Sequence, residues 1–237
     1  MKKISKTLCL LSLLLAAPVA SGAQDKLEAT VSVDLVNDYI WRGMHLGDVS
    51  LQPTLGVGYK GLSLAAWGNV GLSNMNDTKE VDLTLAYEIA GFSISVTDYW
   101  FSKGPDPLSR YFYYVAGKTH HVFEATVGYD FGFLSLAWST NFAGNDLTGA
   151  GKQAFSSYFE LNVPFTLAGV DWTATAGAVP FATDFYENSR FALTYLSLTA
   201  SKEIRITDSF SIPVFAQLAS NPYARKLYLV FGITLGL

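Results

Sequence analysis

The last twelve residues, from Lys226 to Leu237, alternate between two kinds of side chain. Large apolar residues occupy one parity, and mostly small or hydroxylic residues occupy the other. A period of two is that of a β-strand, whose successive side chains point to opposite faces of the sheet. A strand with one wholly apolar face fits a water-soluble sandwich, with that face in the core, or a membrane barrel, with that face toward lipid. The rest of the sequence distinguishes these two architectures.

The first 23 residues have the features of a secretory signal peptide. Three lysines precede an apolar run from Leu8 to Ala17, and Ser21-Gly22-Ala23 supplies a cleavage site of small residues. The apolar run is too short for a membrane helix. We therefore predict an exported mature chain, residues 24–237, that forms one domain. Cys9 lies inside the leader, so the predicted mature chain has no cysteine.

Composition favours a membrane barrel and excludes other classes. The net charge is −4, and loss of the three leader lysines makes it −7, which argues against a nucleic-acid partner. No mature segment has 18 consecutive apolar residues, so no membrane-spanning helix is predicted. Mean hydropathy is nevertheless +0.24, and aromatic residues make up 14% of the chain. Alternating strands with one lipid-facing side produce this combination.

Alternation recurs along the chain and predicts an all-β, transmembrane, antiparallel up-and-down β-barrel of about twelve strands, the first running from about Leu27 to Trp41. Connections after even-numbered strands are short, and those after odd-numbered strands are longer. Four short connections carry a glycine before an apolar residue, which permits the positive φ of a tight hairpin: Gly61, Gly91, Gly132 and Gly169. Short periplasmic turns and longer extracellular loops are typical of outer-membrane barrels. We therefore predict a protein of the Gram-negative outer membrane that contacts membrane lipid and the barrel assembly machinery.

Aromatic residues mark both ends of the predicted wall. Three tyrosines lie on the outward face just before short turns, as in an interfacial aromatic girdle: Tyr59, Tyr87 and Tyr129. Others are predicted at the opposite end of the wall: Tyr39, Trp41 and Trp100.

Three residues do not fit a regular wall. Pro53 and Pro213 fall inside predicted strands, where each removes a ladder hydrogen bond or marks a bulge. Asp98 falls on the lipid-facing parity. The strand number is therefore predicted only within the range of ten to fourteen.

Residues 37–43, with the sequence N-D-Y-I-W-R-G, resemble the S/N-D-Y-x-F/W-R-G signature of the TorF-like porin family, a proteobacterial outer-membrane family of unknown function. A second stretch, G-L-S-L-A-A-W-G-N from Gly61, resembles another recurring element of that family. The resemblance implies a barrel with a pore and supplies no established ligand. The chain ends in Leu237, where many outer-membrane proteins have an aromatic residue. The signature falls on Asp38, Tyr39, Trp41, Arg42 and Gly43.

Acidic residues gather on the parity that faces the predicted lumen. A ring of carboxylates in a confined space raises the local cation concentration. We predict a narrow passive diffusion channel for small cationic or neutral solutes, in which Arg42 braces the lumen. A barrel of twelve strands is intermediate in width between eight-stranded barrels, which side chains fill, and sixteen-stranded barrels, which hold an open channel. The alternative is therefore that Arg42 and the carboxylates form a salt-bridged plug. The predicted lumen residues are Asp34, Arg42, Asp82, Glu124, Glu160 and Asp171.

Two further possibilities concern the longest loop, roughly Ser102 to His120. Its aromatic run from Tyr111 to Tyr114 could stack on a ligand, narrow the lumen or extend the next strand, and we favour the last. A lipid hydrolase would need a base, a hydroxyl and an orienting group. His121, Thr140 and Asp98 share outward parity, but a solvated loop end explains His121 more simply. We predict no enzyme, cofactor or metal site, since no ligand spacing or phosphate loop occurs.

The predicted parity of the last strand makes a direct test. We expect Leu229→Arg to block assembly, because an arginine on the lipid face near the bilayer midplane costs about 2–4 kcal/mol. Thr234→Arg, on the lumen face of the same strand, should be tolerated better. The measurement is the fraction of refolded protein with heat-modifiable gel mobility. Equal tolerance of both changes would contradict the parity and favour a soluble sandwich.

Overall fold

The computed structural model describes residues 26–74, 76–102, 110–208 and 210–236. The predicted signal peptide, loop residues 103–109 and Leu237 lie outside the described residues. The described residues contain strands β1 (Glu28–Val36), β2 (Tyr39–Trp41), β3 (Met44–Gly47), β4 (Ser50–Tyr59), β5 (Leu62–Gly71), β6 (Lys79–Ile89), β7 (Phe92–Ser102), β8 (His121–Asp130), β9 (Ser135–Gly144), β10 (Ser157–Leu167), β11 (Val170–Val179), β12 (Ala192–Arg205), β13 (Ser211–Asn221) and β14 (Lys226–Gly236).

Twelve of these strands form one closed antiparallel barrel in up-and-down order, which confirms the predicted fold class. The barrel closes between the first and last strands, where Asp34 of β1 pairs with Thr234 of β14. On its other side β1 pairs with β4, from Glu28 opposite Gly58 to Val36 opposite Ser50. The remaining two strands, β2 and β3, form a separate sheet that pairs only with itself. Over the described residues, no helix has the length and apolarity to cross a membrane.

Short hairpins define one end of the barrel, which we call the turn end, and the opposite end is the loop end. At the first hairpin Lys60 and Gly61 have φ of 50° and 83°, and the next repeats this at Ala90 and Gly91 with 50° and 84°. Positive φ at both central residues is the type I′ turn, whose twist matches that of the flanking strands. Gly132 and Gly169 also have positive φ, so the predicted glycine turns are confirmed.

The two faces of the wall have the predicted parity. Outward side chains are apolar and exposed, as in Leu55, Leu229 and Phe231, which are 57%, 53% and 50% exposed. Inward side chains such as Gln52 and Thr97 are polar and buried. An apolar outer surface that surrounds a polar interior is the reverse of a soluble fold, in which such large exposed patches are rare.

The first strand is shorter than predicted, because β1 ends at Val36. Beyond Val36, the side chain of Asn37 bonds the backbone groups of β14 that a longer β1 would have paired with. Its Nδ2 donates to the Leu229 carbonyl at 3.0 Å, and its Oδ1 accepts from the Phe231 amide at 2.5 Å. Because the side chain satisfies these ladder groups, the backbone is free to turn inward. Residues 37–48, which we call the plug hairpin, therefore leave the wall at the loop end.

The predicted wall positions of Tyr39 and Trp41 are wrong as a result. Both lie in the plug hairpin, 2% and 4% exposed, and pack against lumen-facing residues. Trp100, predicted at the same end, does lie in the barrel strand β7.

Both prolines are accommodated within barrel strands without changing the number of strands. The pairing of β4 with β5 passes from Leu51 opposite Val70 to Thr54 opposite Trp67, and skips the position of Pro53. Gln52 bridges this gap with a side-chain hydrogen bond to Asn69 at 3.1 Å. Pro213 pairs with β12, and the pairing of β13 with β14 begins one residue later.

Candidate functional site in the barrel lumen

The plug hairpin reverses direction at Arg42 and Gly43, whose φ angles are 50° and 82°. A positive φ is uncommon for a residue with a side chain, so the fold holds Arg42 in a strained conformation at the tip. Asn221 of β13 fixes the tip by donating from Nδ2 to the Gly43 carbonyl at 3.1 Å. A Cβ at Gly43 would lie 1.8 Å from the Thr194 carbonyl oxygen. Only glycine fits this approach to the wall.

Arg42 reaches across the lumen to Glu124 of β8. Its two terminal nitrogens donate to the two carboxylate oxygens at 2.5 and 2.9 Å, with only 10% and 2% of the two side chains exposed. This bidentate geometry is the strongest form of the arginine–carboxylate interaction. Ser139 accepts a further hydrogen bond from Nη2 at 3.2 Å. The sequence placed Arg42 and Glu124 on the inward parity, and the structure brings them into direct contact.

Aromatic rings enclose the Arg42 guanidinium. Its carbon lies 4.6 Å from the Trp41 ring centroid and 4.5 Å from that of Tyr158, at cation–π distance. Tyr186, from the loop between β11 and β12, accepts a hydrogen bond from Nη1 at 2.5 Å. Burial raises the pKa of the Tyr186 phenol and Arg42 opposes this rise, so the phenol remains protonated at neutral pH. Arg42 is thus held from both the wall and a loop.

The buried cluster around the hairpin fills the loop-end part of the lumen. Trp41 lies 5.5 Å from Tyr99 and 6.2 Å from Tyr186 between ring centroids, and Tyr39 lies 5.5 Å from Trp67. Each such ring pair stabilises packing by about 0.5–1.5 kcal/mol beyond the buried area. The cluster comprises Tyr39, Trp41, Trp67, Tyr99, Val122, Tyr158, Val179 and Tyr186.

Several side chains beyond the predicted lumen residues hold the hairpin. Tyr99 donates to Glu124 Oε1 at 2.9 Å, and Tyr39 donates to Glu80 Oε2 at 2.9 Å. Inward parity on β6 and β7 was a signal that could have identified Glu80 and Tyr99 as partners. Tyr186 gives no such signal, because it belongs to an irregular loop.

The other predicted lumen residues lie apart from the Arg42 contact. Asp82 is buried on β6, whereas Asp171 is exposed at the turn end of β11. Three carboxylates have local partners: Asp34 accepts from Thr234 at 2.6 Å, Glu160 from Tyr158 at 3.1 Å and Asn162 at 3.0 Å, and Asp171 from Thr166 at 2.9 Å.

A second polar group lies at the base of the plug hairpin. His45 Nε2 is 3.1 Å from Asp38 Oδ1 and 3.5 Å from Asp48 Oδ1. Among the described residues, these form the one group of three or more such side chains whose potential metal-ligand atoms all lie within 4.8 Å of one another. The sequence did not predict it, because the three residues come together only when the hairpin folds. A hydrogen bond between the His45 ring and Asp38 explains the same geometry.

The described part of the longest loop, residues 110–120, covers the outer face of the wall. Tyr111 and Tyr114 pack against His121, with centroids 5.3 and 4.2 Å from its ring. These residues neither extend β8, which begins at His121, nor enter the lumen, so the predicted strand extension is wrong for this part of the chain.

The outward-facing Asp98 is partnered beneath this loop. Its Oδ1 lies 2.7 Å from His121 Nδ1, and His121 Nε2 lies 2.5 Å from the Tyr111 carbonyl oxygen. A carbonyl only accepts, so Nε2 carries a proton and cannot act as a base there. Thr140 instead hydrogen bonds with Trp138 and Ser157. The geometry therefore gives no support to the hydrolase alternative.

Comparisons with known proteins identify no family. No family model matches the chain, and no curated protein matches it. A chain from a study of the in-meso crystallisation of membrane proteins is similar at a TM-score of 0.40 and 7% identity, over 88% of this chain and 83% of that one. CdiB from Acinetobacter baumannii is similar at a TM-score of 0.40 and 10% identity, over 90% of this chain and 60% of CdiB. Neither similarity is close enough to indicate a function, and the resemblance to the TorF-like family stays a prediction.

The tip of the hairpin provides a test of its docking. We expect Gly43→Ala to destabilise the barrel more than Gly132→Ala. Both positions have positive φ, 82° and 86°, but an added Cβ meets the Thr194 carbonyl at Gly43 and meets nothing within 4 Å at Gly132. The backbone cost alone exceeds about 1 kcal/mol at each position. The measurement is denaturant unfolding in detergent micelles, and equal destabilisation would show that the tip is not docked.

The Arg42–Glu124 pair can be tested by a double-mutant cycle. Arg42→Ala should lower the free energy of unfolding by about 3–5 kcal/mol, because it leaves a buried carboxylate uncompensated. Glu124→Gln in the same chain should recover part of this loss by removing that charge. If the two changes are additive in the same unfolding assay, the pair does not couple the hairpin to the wall.

Proposed function

We propose that the protein is an outer-membrane barrel that admits small cationic or neutral solutes through a narrow lumen gated by the plug hairpin. Support for the membrane location comes from the exposed apolar outer face, since a belt of this kind is what lipid solvates. The leader-like first 23 residues are consistent with export. With short turns periplasmic, the plug hairpin enters from the extracellular end.

The turn-end part of the lumen has the character of an aqueous vestibule. Its inward side chains are short and polar, and several are only half-buried, including Ser63, Ser93, Ser135 and Thr173. Acidic groups lie among them. We propose that Asp171 at this end, together with Asp34 and Glu160 farther along the lumen wall, favours cations, because confined carboxylates raise local cation concentration. Asp82 and Glu124, also predicted to set selectivity, lie beneath the hairpin instead.

One observation carries the gating proposal: β2 and β3 of the plug hairpin pair with each other and with no barrel strand. Among the described residues, the backbone-to-backbone hydrogen bonds from the hairpin to the barrel are isolated ones at its base, from the Asn37 amide to the Phe231 carbonyl at 3.1 Å and from the Thr78 amide to the Leu46 carbonyl at 3.0 Å. The two strands form a separate sheet and contribute no backbone ladder to the barrel wall. Side-chain contacts, chiefly those of Arg42, Tyr39 and Trp41, hold it in the lumen. The hairpin can therefore leave the lumen without opening the wall. The docked state blocks the loop-end half, and the undocked state is the conducting one.

The same contacts favour a second candidate, a permanently closed structural barrel. In that case the Arg42–Glu124 pair, 2% exposed at its carboxylate, would serve only to stabilise the wall. The two candidates differ in what happens when the contact is removed.

Conductance of the refolded mature chain across a planar bilayer separates them. We expect wild type to give brief openings and Arg42→Ala to give long ones, because the hairpin loses its anchor. In asymmetric salt the reversal potential should be cation-selective, and Glu160→Gln with Asp171→Asn should reduce that selectivity. Ser63→Ala, also on the lumen wall but uncharged, should leave selectivity unchanged. Silent bilayers for folded wild type and folded Arg42→Ala alike would contradict gating and favour the structural barrel.

A further inference from the structure

Two buried carboxyl groups lie side by side under the plug hairpin. Glu80 and Asp82 are two residues apart on β6, so their side chains share the lumen face. They are only 2% and 1% exposed. A carboxylate is an acceptor only, so two carboxylates cannot satisfy each other.

Most of the oxygens in this pair receive no donor. Glu80 Oε2 accepts from the Tyr39 hydroxyl at 2.9 Å. Within the described residues, no protein group donates to Glu80 Oε1 or to either oxygen of Asp82. A buried charge without a partner is strongly unfavourable, and so is a buried acceptor without a donor. When both groups are ionised, a cation is needed to balance the pair.

The surrounding side chains do not provide that balance. In the strand register Asp82 lies opposite Trp67 on β5 and Tyr99 on β7. The Tyr99 hydroxyl donates to Glu124, and Arg42 uses both terminal nitrogens on that same carboxylate. The charged groups that act on Asp82 include Glu80, Asp98 and Glu124, which are themselves acidic.

We propose that Glu80 and Asp82 form a binding site for a divalent cation with oxygen ligands, of the Ca²⁺ type. Three carboxylate oxygens of this pair have no protein donor, and Ca²⁺ accepts carboxylates in one- or two-oxygen geometry while water completes its shell. Mg²⁺ fits less well, because it demands a near-ideal octahedron. The ion neutralises the pair and leaves Glu80 Oε2 ionised to accept from Tyr39. Occupancy of the site therefore stabilises the docked plug hairpin.

Terbium luminescence tests the site directly, with Tb³⁺ as a luminescent substitute for Ca²⁺. Trp67 lies opposite Asp82, so excitation of its indole should sensitise emission from an ion bound there. We expect folded wild type in detergent to give saturable emission that Ca²⁺ displaces. Glu80→Gln with Asp82→Asn should weaken Tb³⁺ binding by at least about tenfold, because Ca²⁺-site affinity depends on the ligand charge count. Trp67→Phe should lower the emission but retain Ca²⁺ binding measured by calorimetry.

Two matched variants exclude other acidic positions as the source of the signal. Asp171→Asn removes an exposed lumen carboxylate, and Asp38→Asn with Asp48→Asn removes the acidic groups around His45. Binding should survive in both. The proposal is overturned if folded wild type binds neither Tb³⁺ nor Ca²⁺, which would leave a shared proton between the carboxyl groups. It is equally overturned if emission is lost only in the Asp38/Asp48 variant. The assay needs no conductance, so its outcome is independent of the channel proposal.

Discussion

The contact between Arg42 and Glu124 determines what the barrel contains. Without it, a twelve-stranded wall encloses a lumen wider than its own side chains fill. With it, a short hairpin whose two strands pair with each other and with no barrel strand lies inside the barrel. A bidentate ion pair at a site that is nearly dry is costly to break, because each lone charge would remain buried. One contact between side chains thus fastens the tip of the hairpin to the wall.

The other contacts of the hairpin follow from that anchor. Arg42 has the positive φ of a tight reversal, as Lys60 and Ala90 do at the turn end. Gly43 must follow it, since the Thr194 carbonyl leaves no room for a side chain. At the start of the hairpin, Asn37 replaces a strand residue along β14 and permits the chain to turn inward. The signature residues 37–43 are thus explained by one local structure, a plug, rather than by a strand of the wall.

Much of the wall could be predicted from sequence because strand parity and turn chemistry are local. Leu229 and Thr234 face opposite sides as the alternation indicates, and the glycine turns lie where short hairpins were expected. The plug hairpin could not be predicted in this way. The alternation of Tyr39, Ile40 and Trp41 resembles a continued strand, and the departure depends on a long-range bond from Asn37 to β14. The packing of residues 110–120 over His121 is likewise tertiary and leaves no periodic signal.

Thiol labelling tests most directly whether the plug hairpin closes the lumen. The chain's single cysteine, Cys9, lies in the predicted leader, so Ser139→Cys gives the mature chain one thiol, at a position 3% exposed and in contact with Arg42. The docked hairpin predicts slow reaction of this thiol with a membrane-impermeant maleimide in reconstituted vesicles. It also predicts rapid reaction when Arg42→Ala is added. Equally rapid labelling in both backgrounds would contradict a plug held in the lumen by Arg42.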